Sequence, residues 1–111
     1  MTWMQKIVEQ YGKEYVLRQL AEESAELCQA ALKLVRVMNN ETPVTQTDAQ
    51  NRLLEEIADV EVMLHVLKTA VLNDRGNEKI TTIYRKKEAR MIERMIENDE
   101  TEMERHDEPF A

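Results

Sequence analysis

Apolar residues recur at helical spacing along most of the chain. Val16, Leu20, Leu27, Leu34 and Met38 fall on one stripe, which predicts a long helix from Lys13 to about Met38. Ahead of it, Thr2 and Gln5 form a capping-box pair around Trp3, Ile7 and Val8, so a short first helix is expected to end at Gly12. Asn39 and Asn40 supply C-terminal caps for the second helix, and the unpatterned stretch 39–47 reads as a loop available to gate or line a pocket. Thr47 with Gln50 offers a second capping box. Leu53, Leu54, Ile57, Val60, Met63, Leu64, Leu67 and Val71 then keep a 3.6-residue period toward Asn73, with Gly76 as the stop. A last helix, capped by Asn77, places Ile80, Ile83, Tyr84, Met91 and Met95 on one stripe and Lys86, Lys87, Arg90 and Arg94 on an adjacent one.

Composition agrees with this pattern. With 2 Gly, 2 Pro and 5% aromatic residues in 111, the chain lacks the turn signals and β-formers of a sheet protein. The expected fold class is all-α, an antiparallel bundle of four to five helices in one domain, residues 1–96, followed by an acidic tail, 97–111, expected to fray into disorder. A single cysteine, Cys28, excludes an internal disulfide and fits a reducing compartment, so the cytoplasm is the expected location. Cys28 itself reads as a small buried hydrophobe. The longest uncharged run, Leu27 to Leu32, is too short to span a bilayer, and no targeting or membrane segment is expected. A net charge of −7 argues against binding nucleic-acid polymers, whose affinity depends on excess Lys and Arg. That charge is uneven: residues 1–73 hold 7 basic and 11 acidic side chains, 74–95 hold 7 and 4, and 96–111 hold 1 and 7. The last helix is thus the basic element of an acidic protein.

Four acids stand where apolar residues are expected. Glu23 lies about 20° around its helix from Val16 and Leu34, with Glu26 beside it on that face. Glu56 falls between Leu53 and Val60, and Asp59 adjoins it near Met63. Two helices are therefore expected to aim two acids each inward. An anion directed into a core is costly, neighbouring carboxylates repel, and exposed helical ion pairs are too weak to compensate. A hard divalent cation such as Mg²⁺ would resolve the conflict, because it takes carboxylate oxygens and shares its remaining coordination with water and substrate phosphates. The competing reading places the acids at the solvated rim of each face, a common outcome in a chain with 22 Asp and Glu residues.

The segments Glu22-Glu23-Ser24-Ala25-Glu26-Leu27 and Glu55-Glu56-Ile57-Ala58-Asp59-Val60 resemble the E-x-x-E and E-x-x-D signature of MazG-like nucleotide pyrophosphohydrolases, members of the all-α NTP pyrophosphatase superfamily. The resemblance extends from about Tyr11 to Met95, and Lys87-Glu88-Ala89-Arg90-Met91 is similar to the basic last helix of small phage and bacterial single-domain members. It implies that Glu23, Glu26, Glu56 and Asp59 hold Mg²⁺, with Mn²⁺ a possible substitute. A nucleoside triphosphate would be hydrolysed to its monophosphate and pyrophosphate, in the manner of nucleotide-pool cleansing. Glu26 is the candidate for orienting the attacking water, with Glu56 the second catalytic candidate. The resemblance also implies a homodimer or dimer of dimers, in which a four-helix core is completed by oligomerisation. Phosphoribosyl-ATP, dUTP or dCTP pyrophosphohydrolases are alternatives within the same chemistry. A helical protein-interaction module without turnover is the non-enzymatic one.

Other residues add less. Lys87 and Arg90 are candidates for binding substrate phosphate, against a simple solvated basic face. Trp3 and Tyr84 are candidates for stacking on a base, although aromatics at helical spacing commonly belong to a core or a subunit interface. His65 follows Glu61 by four residues, not by the three of di-iron carboxylate bundles. The sequence has no Gly-rich lysine loop of the P-loop type.

Overall fold

The computed structural model describes residues 1–99 and Pro109, and all its regular elements are helical. Helix α1 spans Trp3–Tyr11, α2 Lys13–Met38, α3 Gln46–Val66 and α4 Asp74–Asp99, with a five-residue π-helical segment, Leu67–Val71, following α3. No strand occurs among the described residues. No helix among them is long and apolar enough to cross a membrane.

The local signals act largely where expected at the N-terminal end. The Thr2 side chain accepts from the Gln5 N–H while Gln5 Oε1 accepts from the Thr2 N–H at 2.8 Å, closing the capping box of α1. Gly12 ends α1 and starts α2 at φ 89° and ψ 167°. Only glycine adopts that region without strain, so Gly12→Ala is expected to destabilise the protein by about 1–3 kcal/mol in urea unfolding, although no atom obstructs the new methyl group. Gly76, in contrast, is helical with open contact distances, and Gly76→Ala is expected to gain up to about 1 kcal/mol. Asn39 caps α2, and Asn40 takes the left-handed conformation at φ 58°.

Several boundaries differ from the sequence expectation. Thr45 caps α3 by accepting from the Asp48 N–H, so the helix starts at Gln46 and the Thr47–Gln50 box is not used. Both threonines qualify by residue type, and the Thr45 hydroxyl is the one that caps the helix. The third helix also stops as an α-helix at Val66, where the turn widens into the π-helical segment. Helix α4 starts at Asp74, not after Asn77: Asn73 Oδ1 accepts from the Gly76 N–H at 2.9 Å, which places Gly76 in the first turn and not at a stop. Helix α4 runs through Asp99, three residues into the segment assigned to the tail; the rest of that segment, apart from Pro109, lies outside the described residues.

The described residues divide into two compact units, one of residues 1–71 and one that begins at residue 72 and contains α4. In the first, α2 and α3 form a helical hairpin whose direction follows from its two apolar clusters. Val16 near the start of α2 meets Val66 at the end of α3, whereas Leu34 and Val37 near the end of α2 meet Ala49 near the start of α3, so the helices are antiparallel. Helix α1 closes the first of these ends, packing Met4, Ile7 and Val8 against Val16 together with Leu67, Ala70 and Val71 of the π-helical segment. The loop side chain Val44 and Leu53 complete the other end. The hairpin therefore has an apolar cluster at each end, and the middle turns of α2 and α3 belong to neither. In the second unit, α4 buries none of its residues and exposes Ile83, Tyr84, Met91, Ile92, Met95 and Ile96. Cys28, expected to be buried, is exposed because it lies about 120° around α2 from Val16 and Leu34.

Candidate metal centre

Between the two apolar clusters, the middle turns of α2 and α3 bring Glu23, Glu26, Glu56 and Asp59 together. One carboxylate oxygen from each lies within 4.8 Å of those of the other three. Each helix contributes an i, i+3 pair, the spacing that places two side chains on one face. Long-range pairing was outside the reach of the periodicity alone; the antiparallel hairpin supplies it by setting the centre of α2 against the centre of α3.

The four are not equally buried. Glu56 is only 4% exposed and Glu23 is half-buried, while Glu26 and Asp59 are exposed. The expectation of two inward acids per helix is thus corrected: one acid of each pair is withdrawn from water, and the other stands at the rim. Three residues advance a helix by about 300°, so when the first acid of a pair is centred on the face the second is about 60° to one side. The result is a half-open bowl with carboxylate oxygens at its floor and edge.

The Oε2 atoms of Glu23 and Glu56 are buried without a hydrogen-bond partner. Buried polar atoms are normally satisfied, so two orphaned carboxylate oxygens within one cluster signal a missing positive or donor species. Burial raises the pKa of Glu23 above its ordinary value, reinforced by Glu26, Asp59 and Glu56. Burial is also the largest influence on Glu56, which is raised despite the opposing charge of Arg52, with Glu26 and Asp59 adding to the rise. The donor set consists entirely of oxygens, two of them lacking partners, and fits a hard divalent cation of the Mg²⁺ or Mn²⁺ kind.

One cation already reaches the cluster. Arg52 Nε donates to Glu56 Oε1 at 2.8 Å, from a side chain that is largely exposed to one that is almost fully buried. Sequence reasoning missed Arg52, although it precedes Glu56 by four residues and so shares its helix face. It satisfies Oε1 of Glu56 and leaves the buried Oε2 without a partner.

The other candidates are all exposed. Trp3 is exposed on α1, and His65 is exposed on α3 outside the cluster. Lys87, Arg90 and Tyr84 are exposed on α4, in the second compact unit. Among known proteins, no family model, no curated protein and no solved structure matches this chain.

Proposed function

We propose that the protein is a Mg²⁺-dependent nucleoside triphosphate pyrophosphohydrolase, forming a nucleoside monophosphate and pyrophosphate in the cytoplasm. The observation that carries this reading is the buried, partnerless Glu56 Oε2 inside a four-carboxylate cluster built by two helices. The match of Glu23-x-x-Glu26 and Glu56-x-x-Asp59 to the MazG-like signature supports it. Glu23, Glu26, Glu56 and Asp59 would hold Mg²⁺, with Mn²⁺ able to substitute. Once bound, the ion supplies neutralisation of phosphoryl oxygens and acidification of water at the site.

The chain's own residues have separate tasks. Glu56 and Glu23, held by the hairpin and withdrawn from water, would hold the cation from its buried side. Glu26 at the rim would orient a water and take its proton as the water oxygen bonds to the α-phosphorus; the bond from that phosphorus to the α–β bridging oxygen breaks, and pyrophosphate leaves with that oxygen. The exposed apolar stripe of α4 supports a homodimer or dimer of dimers that completes the helical core.

The test is pyrophosphate release from a panel of standard and modified NTPs and dNTPs, phosphoribosyl-ATP included, in Mg²⁺ and in EDTA. Turnover that requires Mg²⁺ is the expected result, and the ranking of the panel identifies the substrate. Inertness toward every compound would overturn the enzymatic reading. A helical interaction module, which the exposed apolar stripe of α4 also favours, would then take its place.

A further inference from the structure

A cleft with a volume of about 390 Å³ opens between α2 and α3 beside the carboxylate cluster. It shares two residues with that centre: Glu26 of the cluster, and Arg52, whose guanidinium is paired with Glu56. Its volume lies within the range of small-molecule sites. Ala30 and Ala49, both buried, together with half-buried Val44 form an apolar lining. Gln29, Lys33 and Asp48 give it a polar rim.

The rim argues against a second phosphate site. Lys33 and Arg52 are opposed there by Glu26 and Asp48, so a polyanion meets no net positive charge. An uncharged, flat ring with donors and acceptors along its edge is complementary to every part of the lining. The small side chains leave room for a ring face, Asp48 accepts from an N–H, Lys33 donates to a ring nitrogen or carbonyl, Gln29 does either, and the planar Arg52 guanidinium can stack. We infer that this cleft holds the nucleobase of the substrate while the adjoining carboxylates serve its phosphates, an inference that rests on the hydrolase reading above. Glu26 and Arg52, common to both regions, set the distance between the base and the phosphates.

The experiment is calorimetric titration, in Mg²⁺, of inorganic tripolyphosphate and of nucleoside 5′-(α,β-imido)triphosphates carrying different bases, into the wild type, Gln29→Ala and Asp48→Asn. Both positions are exposed, and melting curves of the variants verify folding. Tripolyphosphate is expected to bind all three proteins equally. The imidonucleotides should bind the wild type more tightly than tripolyphosphate does. Each substitution should remove roughly 3- to 10-fold of that added affinity. Asp48→Asn, which exchanges a pure acceptor for a group that also donates, should in addition reorder the bases. Tripolyphosphate binding with no gain from any nucleoside, or a gain that both variants keep in full, would overturn the assignment of the cleft and leave the metal–phosphate reading standing. Failure of tripolyphosphate itself to bind would overturn both.

Discussion

Glu56→Gln is expected to abolish Mg²⁺-dependent pyrophosphate release, lowering the rate by about 10²-fold or more, while making the metal-free protein melt at a higher temperature. The two effects have one cause. Glu56 is almost fully buried and has one oxygen without a partner, and the fold raises its pKa, which means that the folded state prefers its neutral form. Glutamine has the same shape and retains a carbonyl oxygen for Arg52, but it removes the charge that faces Glu26 and Asp59. It thus relieves the repulsion that a cation would otherwise relieve, and it cannot replace the carboxylate as a ligand. A variant that melts lower than wild type in EDTA would show that Arg52 already compensates the charge, leaving no need for a metal. A variant that retains full turnover would remove Glu56 from the site.

Mg²⁺ alone should stabilise the wild-type protein strongly. A ligand present at 100 times its dissociation constant adds about 2.7 kcal/mol. For a domain of this size that corresponds to a rise in Tm of on the order of 10 °C or more. Glu56→Gln and Asp59→Asn should lose most of that rise. Calcium should produce a smaller rise if the bowl favours the more compact octahedral ion. Unchanged melting across a Mg²⁺ titration would refute the metal centre without any assay of turnover.

The dependence on pH has a definite sign. The pKa values of Glu23 and Glu56 are raised in the folded chain above 4.5, so their contribution to stability is fully present below that value and is lost as pH rises through the folded-state values. In EDTA, the difference in Tm between Glu56→Gln and the wild type should therefore be small near pH 4 and grow toward neutrality. Stabilisation by Mg²⁺ should follow the same direction, since protons compete for its ligands. A difference between variant and wild type that shrinks as pH rises would contradict the electrostatic account.

Much of the hairpin and half of the site follow from short-range rules. The Thr2–Gln5 capping box, the turn at Gly12 and the Asn39–Asn40 cap each depend on residues within a few positions, and each forms as expected. The faces of α2 and α3 that carry Glu23, Glu26, Glu56 and Asp59 depend only on helical periodicity, so the identity of the clustered acids was present in the order of residues. Competition between similar local signals is where sequence reasoning chose differently: Thr45 prevails over Thr47, and Asn73 over Asn77.

What only the tertiary structure decided is everything that requires a second helix as reference. The apolar residues of the hairpin could have formed one continuous core, but packing divides them into two clusters and leaves the carboxylates between them. The same packing ranks chemically similar acids, burying Glu56 and leaving Asp59 exposed. It also opens the cleft lined by Gln29 and Asp48, residues separated by a loop and unremarkable within their own helices. Sequence determined which faces carried acids and apolar groups, because the α-helix imposes a fixed rotation per residue. Burial, orphaned oxygens and a cavity are properties of the space between elements, and the packing of α3 on α2 decided them.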